Sequence, residues 1–124
     1  MKKDYCSTNG HIKYAGVHLV VELWGAINLT SLEKIEQTFR DAVDAVGATL
    51  LKVDLHKFSP SGGISGVGII QESHLSIHTW PEYKYAAFDI FVCGNVDPYN
   101  AIPILKRDFK PEKIQIVEHK RGIF

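Results

Sequence analysis

One stretch decides the fold of this chain, Gln71-Glu72-Ser73-His74-Leu75-Ser76-Ile77-His78-Thr79-Trp80-Pro81-Glu82. From Ser73 to Trp80 polar and apolar side chains alternate, and this period of two is typical of a β-strand. The polar positions hold hydroxyls and imidazoles, and an indole, a proline and carboxylates stand at the ends of the stretch. A strand that served only to pack against a core would not need these groups, so the stretch predicts a strand that carries a functional site.

Further strands are predicted on both sides of this stretch. Ile64 to Ile70 precedes it, and its two glycines, Gly66 and Gly68, suit a close approach to the backbone. Ala86 to Cys93 follows it across the segment Pro81-Glu82-Tyr83-Lys84, which has a length suited to a hairpin between antiparallel strands. The same alternation predicts three more strands, at Gly16 to Trp24, Thr49 to Phe58 and Lys113 to Glu118.

Two helices are predicted between these strands. Thr30 and Glu33 have the spacing of a capping box, apolar residues then recur at helical spacing, and Gly47 ends the helix. Asp97-Pro98 starts the second helix, in which Pro103 must kink or restart the chain. The order β-α-β-β-β-β-α-β predicts an α+β fold, a two-layer sandwich with both helices on one face of a mainly antiparallel sheet.

Size and composition restrict the classes of protein. Residues 1–14 lack periodicity and predict a flexible arm without chemistry, and residues 15–124 predict a single domain. Fourteen basic residues balance fourteen acidic ones, so nothing favours nucleic acid or a membrane surface as a partner. No apolar stretch approaches the roughly 20 residues of a membrane span.

The two cysteines, Cys6 and Cys93, and the lack of a signal peptide favour a reducing, cytoplasmic setting. In that setting Cys93 is predicted to keep its thiol. Taken alone, a cysteine at the end of an apolar run is better explained as a small buried hydrophobe than as a functional group.

The residue types leave several kinds of site open. His74 and His78 lie four positions apart, which on a strand is about 13 Å, so they cannot bind one metal ion and no metal site is predicted. A serine triad around Ser73 lacks the Gly-x-Ser-x-Gly turn. The plain alternative is that Ser73 caps a turn and that His78 is a half-buried histidine with a hydrogen-bond partner.

The string of residues is more specific than their types. Ser65-Gly66-Val67, the block Glu72 to Glu82 and Asp89-Ile90-Phe91-Val92-Cys93-Gly94 resemble the short prokaryotic S-adenosylmethionine decarboxylases, which are pyruvoyl enzymes made as self-cleaving precursors. Val17-His18-Leu19-Val20, His56-Lys57-Phe58, Asp97-Pro98 and the segment Glu118 to Gly122 extend the resemblance over nearly all of the chain after residue 14.

The resemblance implies cleavage between Glu72 and Ser73, which gives a β chain of residues 1–72 and an α chain of residues 73–124. In this chemistry the Ser73 hydroxyl attacks the Glu72 carbonyl and converts the amide into an ester. Ser65 corresponds to the residue that assists this step. His78 suits removal of the α-proton of Ser73, after which Ser73 becomes a covalent pyruvoyl group.

The resemblance also implies the reaction and the substrate contacts. The pyruvoyl group replaces pyridoxal phosphate, condenses with the amino group of S-adenosylmethionine and accepts the electron pair left by carbon dioxide. Cys93 corresponds to the proton donor. Phe58 and Trp80 match positions that hold adenine and the sulfonium, and Glu82 matches an acceptor for the ribose hydroxyls. Without the resemblance, Phe58 and Trp80 would be interpreted as core residues and Glu82 as part of a solvated turn.

One spacing predicts an assembly. Ser73 and His78 are five positions apart and point to opposite faces of a regular strand. Either a bulge intervenes, or the base comes from another chain. We favour a symmetric homodimer in which Ser73 and Cys93 of one subunit meet Ser65, His78 and Glu82 of the other, in agreement with the active site at a dimer interface that the resemblance implies.

The leading expectation is thus decarboxylation of S-adenosylmethionine for spermidine biosynthesis. One alternative keeps the pyruvoyl chemistry but acts on arginine or ornithine. Another is a binding or regulatory relative that is never processed.

Overall fold

The structure, a computed structural model, describes residues 7–9 and 12–123. Within them the elements are β1 (Ser7–Asn9), β2 (Ile12–Tyr14), β3 (Gly16–Trp24), α1 (Leu32–Val46), β4 (Leu50–Lys57), β5 (Ile64–Ile70), β6 (Ser73–Trp80), β7 (Tyr85–Val92), α2 (Ile102–Phe109) and β8 (Lys113–Arg121). Short 3-10 helices at Pro81–Tyr83 and Pro98–Ala101 precede β7 and α2.

Six strands form one sheet in the order β4-β5-β6-β7-β3-β8, and each neighbouring pair is antiparallel. The hairpin around the decisive stretch pairs Trp80 with Tyr85 and Ser73 with Val92. The strand order places β6 and β7 in the middle of the sheet. The predicted mainly antiparallel sheet and its order of elements are therefore confirmed.

The core lies between this sheet and the two helices. Alternate strand residues point to it, and the helices add their apolar faces; the fully buried side chains include Leu19, Val21, Leu23, Ile35, Phe39, Leu75, Ile77, Ile90, Leu105 and Phe109. Gly68 fits this layer because a Cβ there would stand 2.6 Å from Leu75 Cδ2 and 3.3 Å from Phe39 Cδ2. The two-layer arrangement with both helices on one face is confirmed.

The opposite face of the sheet, here called the open face, carries the other set of alternating side chains. On the central strands these include His18, Val20, Glu22, Val67, Ile69, His74, Ser76, His78, Trp80 and Asp89. Val67 and Ile69 are each 45% exposed, so the described chain leaves large apolar side chains on this face without cover. The candidate chemistry of the decisive stretch lies mostly on this face.

Both helix starts differ in detail from the sequence prediction. The N-cap of α1 is Ser31, whose Oγ accepts from Lys34 N at 3.1 Å, so the prediction of Thr30 as the cap was wrong by one residue. Gly47 ends α1 with φ 90°, as predicted from its tolerance of that conformation. Asp97 caps a short 3-10 helix, and α2 restarts at Ile102 with Pro103 in its first turn, where the missing N–H costs nothing.

The ends of the chain contain more strand than the sequence predicted. The expected loose arm includes the antiparallel pair β1 and β2, and the rest of it lies outside the described residues. β8 continues to Arg121 because it pairs with β3 over the full length of that strand, from Trp24 with Lys113 to Gly16 with Arg121. Across the described residues, none of the helices is long and apolar enough to cross a membrane.

A buried carboxylate joins the two helices and predicts how stability depends on pH. Asp108 is 4% exposed and accepts from Thr38 Oγ1 at 2.7 Å and from Arg107 Nε at 2.8 Å. The hydrogen bond from Arg107, followed by that from Thr38, outweighs burial and holds the pKa of Asp108 below its usual value. A lowered pKa stabilises the folded state above the unfolded-state pKa of about 3.9, and this contribution disappears as the pH falls through the folded-state pKa.

We therefore expect Asp108→Asn to lower the free energy of unfolding by about 1–2 kcal/mol at pH 7, with the difference from the unmodified chain shrinking below pH 4. Urea unfolding at several pH values measures this. Asp44→Asn, at an exposed position of α1, is the matched control and should change little. A constant difference from pH 7 to pH 3 would contradict the ionic contribution of Asp108.

Candidate active site

Strand β6 arranges the candidate residues in two groups. Its register is regular against both neighbours, from Ser73 with Ile70 to His78 with Ser65 on one side and over its full length on the other. The odd-numbered Leu75 and Ile77 therefore enter the core, whereas His74, Ser76, His78 and Trp80 lie on the open face. The β6 strand contains no bulge to bring Ser73 and His78 to the same face.

The first group, called the pocket cluster, is Phe58, Ser65, His78, Trp80 and Glu82. These five residues line one cavity of about 190 Å³ together with Ser61, Gly63 and Thr79. They converge because β5 pairs with β6, which brings Ser65 opposite His78. Ser65 Oγ and His78 Nδ1 are 2.7 Å apart, which is a hydrogen bond.

The aromatic members of the pocket cluster are available to a ligand. Phe58 is 48% exposed and Trp80 is 39% exposed, so the interpretation of both as core residues was wrong. Glu82 lies exposed in the 3-10 helix that follows β6. The cavity thus offers two aromatic surfaces, a carboxylate and a hydrogen-bonded serine–histidine pair, a combination suited to a polar ligand with an aromatic or cationic part.

The second group, called the turn cluster, is Glu72, Ser73, His74 and Cys93. It lies at the other end of β6, where the chain turns from β5. Cys93 N donates to the Glu72 carbonyl at 3.2 Å, and Ser73 Oγ lies 3.2 Å from His74 Nδ1. The peptide bond between Glu72 and Ser73 is therefore flanked by a hydroxyl, an imidazole and a backbone donor.

The turn itself is held in a strained conformation. Ser73 has φ 152°, in a region that residues with a side chain rarely adopt, and such a residue stores on the order of 1–3 kcal/mol. Two contacts fix the turn, since Thr49 N donates to Glu72 Oε1 at 3.0 Å and Gln71 N donates to the Thr49 carbonyl at 2.9 Å. Breaking the bond before Ser73 would release this strain.

Asp89 on β7 organises the open face beside the turn cluster. His18 Nε2 lies 2.5 Å from Asp89 Oδ2, and Ser76 Oγ donates to Asp89 Oδ1. His74 Nε2 is 3.7 Å from the same Oδ2 atom. The possible metal-ligand atoms of His18, His74 and Asp89 lie within 4.8 Å of one another. Two ligand atoms of a tetrahedral zinc ion stand about 3.4 Å apart. The His18–Asp89 distance is shorter than this and is that of a hydrogen bond.

A second, larger cavity of about 440 Å³ shares Trp80 with the pocket cluster and is lined by Glu22, Trp24, Trp80, Tyr83 and Tyr85. The rings of Trp80 and Tyr85 are 5.3 Å apart. Burial, followed by the hydrogen bond to Glu22, raises the pKa of Tyr85 to about 12. The Tyr85 hydroxyl therefore stays protonated at neutral pH and donates to Glu22, which fixes the ring beside Trp80.

Cys93 differs from its sequence prediction. Its sulfur is disulfide-bonded in the structure, so the prediction that it keeps its thiol was wrong. That prediction rested on the reducing setting alone. Its backbone contact with Glu72 is independent of the sulfur.

The two clusters are far apart within one chain. Ser73 and His78 are five positions apart, a distance of about 17 Å along β6. No side chain spans such a gap, so one described chain brings together the members of each cluster but does not bring the clusters together.

Comparisons with known proteins identify the family of this chain. The family model for S-adenosylmethionine decarboxylase matches residues 17–122. The chain belongs to the S-adenosylmethionine decarboxylase family. It is 46% identical over 113 residues to the S-adenosylmethionine decarboxylase proenzyme of Thermomicrobium roseum, covering 90% of this chain and 97% of that protein. The proenzyme of Methanococcus maripaludis strain C5 is 50% identical over 115 residues, covering 90% of this chain and 93% of that protein.

The fold also matches a solved structure. The adenosylmethionine decarboxylase from Aquifex aeolicus superposes with a TM-score of 0.78 at 32% identity, covering 88% of this chain and 92% of that chain. S-adenosylmethionine decarboxylases are pyruvoyl-dependent enzymes of polyamine biosynthesis, so the predicted family and enzyme class are confirmed.

The contacts of His74 and Asp89 in this decarboxylase were not predicted from the sequence. The spacing of His74 relates it only to a metal site with His78, and Asp89 belongs to a string that resembles the family. The available signal was their alternation, because both occupy polar positions of predicted strands. Bringing them together also required the register that pairs Ser76 with Asp89.

Proposed function

We propose that this chain cleaves itself between Glu72 and Ser73, converts Ser73 into a covalent pyruvoyl group and uses it to decarboxylate S-adenosylmethionine. The observation that carries the proposal is the location of the two clusters at opposite ends of β6. A strained, hydrogen-bonded Glu72–Ser73 bond stands at one end, and a cavity lined by the five matched residues of the pocket cluster stands at the other.

We propose further that the active enzyme is a homodimer joined through its open faces, with each active site at the interface. The two clusters of one chain are about 17 Å apart, which supports a second chain as the source of the other cluster in each active site. The cavity of about 190 Å³ is also smaller than the 300–1,000 Å³ typical of ligand sites, which suits a pocket that a partner completes. Exposed Val67, Ile69 and Val117 provide apolar surface for such an interface.

In the dimer, the turn cluster of one subunit faces the pocket cluster of its partner. Glu72 and Ser73 supply the bond that is broken, and His78, oriented by its hydrogen bond to Ser65, removes the α-proton of Ser73. The pyruvoyl group supplies an electron sink for the decarboxylation, in the role that pyridoxal phosphate has in other enzymes.

The other residues bind the substrate and return a proton to it. Phe58 and Trp80 offer aromatic faces to the adenine and to the sulfonium cation. Glu82 accepts hydrogen bonds from the ribose hydroxyls. The Cys93 thiol donates the proton to the substrate carbon after carbon dioxide has left. This proton donation requires that the Cys93 disulfide be reduced before turnover.

Intact-mass measurement of the purified chain, followed by an assay of carbon dioxide release in the presence of a thiol reductant, tests the proposal. We expect pieces of 72 and 52 residues, the second capped by a pyruvoyl group, and release from S-adenosylmethionine but not from arginine or ornithine. A chain that persists at 124 residues would indicate a non-catalytic relative. Release from arginine or ornithine alone would refute the substrate and leave the cleavage intact.

A further inference from the structure

We propose that His74 is the base that activates the Ser73 hydroxyl for cleavage, with Asp89 as its positioning residue. This inference rests on the proposed cleavage between Glu72 and Ser73 and assigns a residue to its first step. In the proposed mechanism His78 acts only in the later removal of the α-proton, so the attack of the hydroxyl has no base.

The geometry around Ser73 provides a candidate base from the same chain. His74 Nδ1 is 3.2 Å from Ser73 Oγ, within the range over which a base accepts a proton. His78 of the same chain is about 17 Å away along the strand. Among the described residues, His74 is therefore the histidine whose ring nitrogen contacts the nucleophile within one subunit.

Asp89 selects the form of His74 that can act. An imidazole accepts a proton at Nδ1 only if its other proton is on Nε2. His74 Nε2 faces Asp89 Oδ2 at 3.7 Å, and a carboxylate beside Nε2 favours that tautomer and stabilises the imidazolium that forms. His18 and Ser76 hold the Asp89 carboxylate in place from β3 and β6.

The scissile carbonyl is prepared from the other side. Cys93 N donates to the Glu72 carbonyl oxygen at 3.2 Å, and a backbone donor at this position stabilises the negative charge that develops on the oxygen during attack. The contact uses the backbone of Cys93 and does not involve its sulfur. Nucleophile, base, positioning carboxylate and oxyanion donor are thus present in one chain.

Ser73 Oγ loses its proton to His74 Nδ1 and bonds to the carbonyl carbon of Glu72. The carbon–nitrogen bond between Glu72 and Ser73 then breaks, and the nitrogen takes the proton from His74. The products are an ester between Glu72 and Ser73 Oγ and a free amine on Ser73, with no oxidant or reductant required.

The ester distinguishes His74 from His78. Loss of His78 leaves ester formation intact and blocks the elimination that follows, so the ester should accumulate in His78→Ala. Hydroxylamine cleaves esters and leaves amides intact under mild conditions. It should therefore split His78→Ala into two pieces, the second of which begins with an unmodified Ser73.

Adding His74→Ala to His78→Ala should slow the appearance of hydroxylamine-sensitive chain by about 100-fold or more, the usual contribution of a general base. Asp89→Asn in the same background should slow it by at least about tenfold, because the wrong tautomer of His74 becomes available. His119→Ala, which removes another histidine from the sheet, is the matched control and should leave the rate unchanged.

A second variant and a second readout guard against misfolding. His74→Gln retains most of the volume of the side chain and should behave like His74→Ala, with circular dichroism and thermal unfolding verifying that each variant folds. The ester could also form in folded His74→Ala/His78→Ala or His74→Gln/His78→Ala at the rate measured for His78→Ala. That result would overturn the role of His74 but not the proposed cleavage. An unmodified chain that never cleaves would overturn the proposed function and this inference together.

Discussion

Ser73→Ala is expected to keep the chain at its full 124 residues and to lower carbon dioxide release from S-adenosylmethionine by at least about 10⁴-fold, a loss on the scale seen when a covalent catalyst is removed. Alanine has no hydroxyl to attack the Glu72 carbonyl, so neither the ester nor the pyruvoyl group can form. Intact mass and the release of labelled carbon dioxide measure the two consequences independently.

Ser31→Ala is the control for this experiment. It removes the N-cap of α1 and should cost about 1 kcal/mol of stability, but Ser31 lies far from the turn cluster in the chain and should leave cleavage intact. If Ser73→Ala retained decarboxylase activity, Ser73 could not be the precursor of the pyruvoyl group. If it were still cut after Glu72, a protease other than the chain itself would be responsible.

Mixing Ser73→Ala chains with His78→Ala chains, by co-expression, is expected to restore about a quarter of the unmodified activity. Random pairing makes half of the dimers mixed, and each mixed dimer contains one complete site of two. That site combines Ser73 of the His78→Ala chain with His78 of the Ser73→Ala chain. Each variant expressed alone should be inactive.

The matched control mixes Ser73→Ala with Cys93→Ala under reducing conditions. Both changes fall in the turn cluster, so neither chain supplies a complete turn cluster and no decarboxylase activity should return. Restoration in this control, or an active enzyme that remains monomeric at assay concentrations, would contradict a site shared between subunits. Sedimentation of the active species provides the second measurement.

The fold was largely predictable because one period dominates each segment. The limits of β3, β5 and β6 follow from their alternation, and pairing in the sheet shifted the ends of the others by a few residues, most of all at β8, which follows β3 to its end. The choice between Thr30 and Ser31 as the helix cap could not be made from composition, since both have a hydroxyl and the backbone decides which one precedes the first helical residue.

The candidate site was predictable to a smaller extent. The resemblance supplied the members of the pocket cluster, whereas their convergence depends on Ser65 lying opposite His78, a register that periodicity alone does not fix. The spacing of Ser73 and His78 did predict their separation, because side-chain direction in a regular strand depends only on parity. The contact of His74 with Asp89 required both the register and the rotamers.

The position of the Glu72–Ser73 bond in the order of strands has a consequence for the mature protein. After the proposed cut, the first piece contributes β4, β5 and β3 to the sheet and the second contributes β6, β7 and β8, so that strands of the two pieces interleave across the order β4-β5-β6-β7-β3-β8. Three hydrogen-bonded ladders, β5 with β6, β7 with β3 and β3 with β8, then cross from one piece to the other. Neither piece can dissociate without disrupting the sheet. Mature subunits should therefore not exchange fragments, and the broken bond should reduce the kinetic stability of the enzyme little.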